Sequence, residues 1–187
     1  DDLNLISSSA ESNDIASMCQ STEGVLFVPA PLGLGTPHWD YGARSTFVGL
    51  TRGTTRSHMV RAVLEGVAHR GADLVEAVGS DAVANIEVVR VDGGMSRNPT
   101  FVQALANFTG INVEVSPHTE GTTVGAGRLA LVGLNQIAQV SETAELWDPQ
   151  IVVFPDNSFD RIGARLQWEK ATSRSLGWIP ELSSLDF

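Results

Sequence analysis

The stretch Val91-Asp92-Gly93-Gly94-Met95-Ser96-Arg97-Asn98-Pro99 decides the fold class of this chain. The residues before it, 86–91, are apolar and β-branched, as is typical of a strand. Asn98 is a preferred residue at a helix N-cap and Pro99 at the first helical position. The stretch therefore predicts a strand that turns through two glycines into a helix.

The segments that follow alternate between helix and strand. Residues 98–109 predict a helix with Phe101, Leu105 and Phe108 on one face, residues 111–115 alternate like a strand, and residues 122–131 predict another helix. Crossovers of this length join parallel strands with a right-handed connection. We therefore expect an α/β domain with a mainly parallel sheet covered by helices.

Further elements lie on both sides of this unit. Residues 25–29 and 46–50 predict short strands, and residues 57–78 predict a long helix that ends at Gly79. Its apolar face is spaced 4, 3, 4, 3, 4 and consists of Val60, Leu64, Val67, Gly71, Leu74 and Val78. Beyond Gly133 we expect a short helix at 141–146, a strand at 151–155 and a closing helix at 159–173 that carries Ile162, Leu166 and Trp168.

Composition excludes several classes of function. The 187 residues carry a net charge of −10, so the basic surface that nucleic acids require is missing, and we expect no nucleic-acid partner. The single cysteine excludes an intramolecular disulfide and a cysteine-based zinc site, which favours a cytoplasmic location. No apolar run approaches the roughly 20 residues that span a bilayer, and the first residues lack a secretory signal, so no membrane association is expected.

Familiar nucleotide and hydrolase motifs are also missing from the sequence. A P-loop needs Lys before Ser or Thr, but Lys170, the only lysine, precedes Ala171. The stretch 33–38 has Pro37 and His38 where a dinucleotide fingerprint needs a helix start and a glycine. There is no i,i+4 histidine pair and no Gly-x-Ser-x-Gly elbow, so the sequence gives no support for metal-dependent or serine hydrolysis.

The two glycines and Asn98 leave two interpretations open. Ligands of open parallel sheets bind beyond the carboxyl ends of the strands, where Gly94 would leave room for a flat nucleobase and Asn98 would offer an amide to its edge. Alternatively, Gly93 and Gly94 only form a tight turn and Asn98 only caps the helix. Asp92 is expected to be structural.

Two longer segments and the turn together carry a resemblance. Ser45-Thr46-Phe47-Val48-Gly49-Leu50, followed after seven residues by His58-Met59-Val60-Arg61-Ala62-Val63-Leu64-Glu65, is similar to the second signature of the FGGY family of carbohydrate kinases. Val91-Asp92-Gly93-Gly94, followed by Asn98 and Gln103, resembles the adenosine motif of that family. The chain thus resembles its C-terminal domain, whose fold is the actin, Hsp70 and hexokinase type of ATPase, which is ribonuclease H-like.

Within the family, the segments 27–30, 33–40, 43–44 and 49–53 are most similar to the glycerol kinases. Two positions depart from that pattern. Thr36-Pro37-His38-Trp39 is intermediate between the glycerol kinase pattern and the Thr-Pro-His sequence common in xylulokinases, and Gly121 stands where the helix start usually has a threonine. A kinase for xylulose or another sugar therefore remains an alternative, as does a nucleotide sensor of the same fold that phosphorylates nothing.

The resemblance implies that this chain and the preceding part of the polypeptide have different roles in the reaction. Gly94 would pack under the adenine of ATP, Asn98 would hydrogen-bond the nucleoside, and Gly93 would keep the turn open. The catalytic aspartate and the phosphate-binding hairpin would lie in the preceding part of the polypeptide. Most contacts to Mg²⁺ and to the polyol, which is glycerol or a related compound, would lie there as well. This chain alone should therefore have no catalytic or metal-binding residue and be inactive. Residues 24–187 are expected to form the ATP-binding domain and residues 1–23 to be a helical remnant of the upstream region. A homo-oligomer is compatible with the sequence.

Overall fold

The computed structural model describes residues 5–82 and 85–184. After a 3-10 turn at Ser9–Glu11, the short helix α1 (Ser12–Ala16) leads to strands β1 (Leu26–Val28) and β2 (Thr46–Val48). The long helix α2 (Arg56–Ala82) follows. The rest of the chain comprises β3 (Val88–Val91), a 3-10 turn (Gly94–Arg97), α3 (Pro99–Thr109), β4 (Asn112–Val115), α4 (Gly121–Gly133), a 3-10 helix (Val140–Leu146), β5 (Ile151–Val153), α5 (Arg161–Thr172) and α6 (Pro180–Ser183).

The predicted strand–helix–strand unit is confirmed. β3 and β4 are parallel, with Val88 opposite Asn112 and Val91 opposite Val115, and α3 connects them. Asn98 is the N-cap of α3, Pro99 is its first residue, and Gly110 ends it in the left-handed conformation. The α/β class therefore follows from signals that lie within one turn of each boundary.

The expectation of a mainly parallel sheet needs correction. β5 pairs antiparallel with β4, and β1 pairs antiparallel with β2 in a separate two-stranded sheet. A single helical crossover returns the chain to the edge where it began, which gives parallel strands. Between β4 and β5 the chain passes through α4 and a further 3-10 helix, and β5 therefore runs in the opposite direction to β4. β1 and β2 are joined without a helix, and they too are antiparallel.

The buried face of α2 differs from the predicted one. Val60 and Leu64 are buried as expected, but Leu74 and Val78 are 46% and 56% exposed. Small residues occupy much of the buried face instead: Ala62, Gly66, Ala68 and Ala72. α2 also continues beyond Gly79 to Ala82. Close packing on β1 and α3 selects these small residues, and therefore the spacing of large apolar residues misplaced the face.

α5 buries only one of the three large apolar residues that it carries. Its buried residues are Trp168, Ala171 and Thr172, whereas Ile162 and Leu166 are 71% and 52% exposed. Ile162 and Leu166 line a cavity between α5 and the second half of α2.

Two hydrophobic clusters form the core that positions these elements. One packs α2 and α3 against the three-stranded sheet and includes Leu105, Phe108 and Val113. The other lies beneath β1 and includes Val28, Leu34 and Trp168. The His69 ring stacks on Phe108 at 3.6 Å and on Trp168 at 4.7 Å between centroids, and so joins the two clusters.

A clasp at Asp40 fastens the last described segment to the loop after β1. The Asp40 carboxylate accepts hydrogen bonds from the backbone N–H groups of Gly42, Ala43 and Gly177 and from the hydroxyl of Ser183. Burial opposes ionisation, but these hydrogen bonds outweigh it and lower the pKa of Asp40. The carboxylate therefore holds two distant parts of the chain together.

α1 packs against α2 and α3, and Asn13 accepts a hydrogen bond from the Thr100 hydroxyl. The division of the chain at residue 24 stays a prediction. Within residues 5–82 and 85–184, no helix combines the length and apolar character needed to cross a membrane.

Candidate functional site

The turn after β3 has a backbone that requires glycine at one position. Gly93 has φ 84° and ψ −178°, which side chains of L-residues strongly disfavour. The Ser96 hydroxyl donates to the Gly93 carbonyl at 2.8 Å, and the Asn98 N–H donates to the Met95 carbonyl at 3.0 Å. These bonds fix the 3-10 turn, and the positive φ explains why a glycine stands at position 93.

Gly94 presents open space at this turn. A Cβ built on Gly94 would meet no atom within 4 Å in the described part of the chain. The neighbouring Met95 side chain is 41% exposed. An exposed peptide without a side chain, beside an accessible thioether, offers a flat apolar surface on which an aromatic ring can stack.

Asn98 performs the structural role that its position predicts. Its Oδ1 accepts from the Phe101 N–H at 3.1 Å, and its Nδ2 donates to the Ser12 hydroxyl at 3.1 Å. A carboxamide has two N–H groups and two lone pairs on its oxygen, so one donor and one acceptor remain for a ligand. Capping and ligand binding are therefore compatible at this residue.

Asp92 lies against the amino end of α4. A Cβ on Gly121 would meet the Asp92 carboxylate, so any larger residue here would require the exposed Asp92 side chain to rotate away. The carboxylate lies where unpaired N–H groups and the helix dipole favour negative charge. The glycine that departs from the family pattern thus lies in contact with Asp92, and a structural role for Asp92 stays a prediction.

A cavity of about 380 Å³ extends from Asp92 across the carboxyl ends of β3 and β4 to α4. Arg90 pairs with Glu114 at 3.1 Å and lies 4.8 Å from the centre of the Trp147 ring. Arg128 donates to the Leu146 carbonyl at 2.8 Å. This is the edge of the sheet where ligands of parallel sheets bind.

Sequence reasoning missed several residues around the cavity. Arg97 donates to the Thr119 hydroxyl at 3.3 Å and so connects the glycine turn to the segment before α4. Trp147 donates to Glu114 from a loop that follows two further helices. Neither residue belongs to a local pattern, so only the folded chain shows that they meet.

The residues that were predicted to bind nucleotide are therefore brought together at one edge. Gly93, Gly94 and Asn98 form a single turn, with the cavity beside it. Within the described ranges, no group of three His, Cys, Asp or Glu side chains is arranged to hold a metal ion.

Comparison with known proteins places this geometry in context. Residues 1–134 match the model of the FGGY family of carbohydrate kinases, C-terminal domain. The chain is 41% identical over 179 residues to glycerol kinase 2 of Thermotoga maritima and 40% identical over 179 residues to a glycerol kinase of Deinococcus radiodurans. Each match covers 95% of this chain and 36% of the relative. The chain thus spans about a third of the length of these curated relatives.

Solved structures give the same picture of the fold. A Plasmodium falciparum glycerol kinase with ADP superposes with a TM-score of 0.82 at 35% identity, covering 94% of this chain and 35% of that one. A ligand-bound xylulose kinase from Lactobacillus acidophilus superposes with a TM-score of 0.74 at 23% identity, covering 91% of this chain and 35% of that one. The second likeness shows a shared fold alone.

Proposed function

This chain belongs to the FGGY family of carbohydrate kinases, as its C-terminal domain, and from that premise we propose that it is the nucleotide-binding lobe of a glycerol kinase. The intact protein would transfer the γ-phosphoryl group of ATP to a hydroxyl of glycerol and release ADP. Identities of 41% and 40% to curated glycerol kinases support the choice of substrate. The 23% identity to a xylulose kinase gives no comparable support for a sugar.

The observation that carries the nucleotide assignment is the open turn at Gly94. The adenine would stack on the exposed peptide at Gly94, and the spare donor and acceptor of Asn98 would meet the nucleoside. Gly93 would contribute only through the backbone conformation that keeps the turn open. The proposal requires the space above Gly94 to stay empty, because a side chain at this position would fill the surface on which the adenine would stack.

The cofactor and the location are part of the same proposal. Mg²⁺ would bind to the phosphates of ATP and to the rest of the polypeptide, where the general base would also lie. The metal would neutralise charge on the transferred phosphoryl group. We expect the protein to act in the cytoplasm, which the single cysteine supports.

The test replaces Gly94 and Asn98 in the intact polypeptide. Gly94→Val should weaken ATP binding by more than tenfold, because its side chain fills the adenine surface. Asn98→Ser retains an N-cap and should weaken ATP binding by about 1 kcal/mol, the value of one neutral hydrogen bond, with little change in stability. Isothermal titration with a non-hydrolysable ATP analogue measures both effects.

Gly35→Val is the matched control, because a Cβ at Gly35 also meets no described atom within 4 Å. It should leave nucleotide affinity unchanged. Unchanged affinity in Gly94→Val would refute the assignment of the turn. Turnover assays with glycerol and with xylulose, offered separately, test the substrate, and phosphorylation of xylulose alone would refute the glycerol assignment.

A further inference from the structure

The carboxamide of Asn98 is held at both of its ends. Its Oδ1 accepts from the Phe101 N–H at 3.1 Å, and its Nδ2 donates to the Ser12 hydroxyl at 3.1 Å. A backbone N–H can only donate, so the oxygen of the carboxamide must face Phe101 and its nitrogen must face Ser12. These two bonds set the directions in which the remaining donor and acceptor of Asn98 point.

The Ser12 hydroxyl is oriented in turn by the backbone of the preceding 3-10 turn. It donates to the Ser9 carbonyl at 2.7 Å. A hydroxyl has one proton and two lone pairs, so with its proton on Ser9 it offers a lone pair to Asn98. The Asn98 carboxamide, the Ser12 hydroxyl and the Ser9 carbonyl therefore form a chain of hydrogen bonds with one direction.

The short helix α1, which carries Ser12, is fixed against the rest of the chain. Ile15 and Ala16 are 5% and 0% exposed and belong to a hydrophobic cluster with side chains of α2. On the side of α3, the Thr100 hydroxyl donates to Asn13 Oδ1 at 3.0 Å. The Ser12 hydroxyl is thus held in a defined place beside the start of α3.

The bond to Ser12 supplies something that helix capping alone does not. A carboxamide that is held only through its oxygen can still rotate about its Cβ–Cγ bond. A ligand that bonds to such a group must immobilise it on binding, and this lowers the affinity. With the nitrogen bonded to Ser12, the Asn98 side chain has its orientation before a ligand arrives.

We propose that Ser12 is a positioning residue for nucleotide binding, which acts through Asn98 and does not itself touch the nucleotide. The inference rests on the proposed function, because it concerns the same contact between Asn98 and the nucleoside. It adds that α1 belongs to the nucleotide-binding unit, although α1 precedes residue 24.

The test is a double-mutant cycle in the intact polypeptide, with affinity for a non-hydrolysable ATP analogue measured by calorimetry. Ser12→Ala should weaken binding about threefold, the cost of immobilising one freed side chain. In the Asn98→Ser background no carboxamide is left to position, so Ser12→Ala should cause no further loss. A role limited to general stability would weaken binding equally in both backgrounds.

Thr100→Val is the matched control. It removes the hydroxyl that α3 donates to α1 through Asn13, a bond that does not involve Asn98. The backbone N–H of Thr100 still lies 3.4 Å from Asn13 Oδ1 and keeps α1 in place. Thr100→Val and Ser12→Ala should lower the thermal midpoint of the ligand-free protein to a similar extent, but only Ser12→Ala should weaken nucleotide binding.

The outcomes separate this inference from the proposed function. If Asn98→Ser weakens binding and Ser12→Ala does not, the positioning role is wrong and the nucleotide assignment stands. An equal loss from Ser12→Ala in both backgrounds, or from Thr100→Val and Ser12→Ala, also overturns the positioning role. Unchanged affinity in Asn98→Ser refutes the nucleoside contact itself, and the role of Ser12 with it.

Discussion

Gly121 shows how a single missing side chain can depend on a residue far away in sequence. The Asp92 carboxylate occupies the space that a Cβ at Gly121 would need. The glycine and the aspartate therefore form one unit, although neither is part of the other's local motif.

This pairing predicts the behaviour of two variants. Gly121→Ala displaces the exposed Asp92 carboxylate, whose side chain can rotate, and should lower the free energy of unfolding by less than about 1 kcal/mol. In the double variant with Asp92→Ala the clash is gone, so the two losses should not add. Urea denaturation of the four proteins completes the cycle, and additive losses would contradict the pairing.

The residues of the site could be predicted from the sequence to different degrees, depending on how far apart in the chain the interacting residues lie. The cap at Asn98, the proline at Pro99 and the glycine turn depend on neighbours within a few positions, and the sequence alone indicates them. The bond between Arg97 and Thr119 joins residues 22 positions apart and required the folded chain. The contact between Asp92 and Gly121 also joins residues that are far apart in the chain, so it too required the folded structure.

At the scale of elements, α2 shows where periodicity misleads. The large apolar residues predicted its length and, in the first half, its buried face. Its close approach to β1 depends on Gly66, where a Cβ would clash with the Phe27 carbonyl. A helix that approaches a strand this closely buries small residues, and large ones such as Leu74 are left at the surface.

Two helical glycines, one packed against β1 and one facing open space, should respond in opposite ways to substitution by alanine. Gly66→Ala should lower the free energy of unfolding by about 2 kcal/mol or more, because the obstructing atom belongs to backbone and cannot move aside. Gly127→Ala, inside α4, meets no described atom within 4 Å and should raise it by up to about 1 kcal/mol through better helix propensity. Chemical denaturation of the 187-residue chain measures both, and equal effects at the two positions would contradict this packing.

The pairing of strands was predictable where one helix joins two strands and not elsewhere. The β3–α3–β4 unit follows from chain length and handedness. The antiparallel entry of β5 depends on how α4 and the 3-10 helix fold back, and no local pattern encodes that path.

At the scale of the whole molecule, His69 connects the two hydrophobic clusters. It is 2% exposed, and Arg165 lies 3.1 Å from its Nδ1. Burial, reinforced by the Arg165 charge, lowers the pKa of His69 from 6.5 to about 3. The folded chain therefore requires this ring to be neutral, whereas the unfolded chain binds a proton readily below pH 6.5.

The sign of the pH dependence follows from that difference. The stability that His69 contributes is fully present above pH 6.5 and is lost as the pH falls toward 3. The free energy of unfolding falls by up to about 1.4 kcal/mol per pH unit, because unfolding is coupled to the uptake of one proton. In His69→Gln the slope between about pH 4 and pH 6 should be shallower by that amount, measured by urea denaturation. Equal slopes in the two proteins would show that His69 titrates normally.

The clasp at Asp40 has a consequence for how the molecule is made. Ser183 lies 143 positions after Asp40 in the chain, so a ribosome finishes nearly all of the domain before the two can meet. Until then the carboxylate lacks two of its four hydrogen bonds, and the loop after β1 is held only by contacts such as that of Arg70 with the Thr36 carbonyl. Nascent chains that stop short of Gly177 should therefore leave that loop more open to proteases than chains that include Ser183.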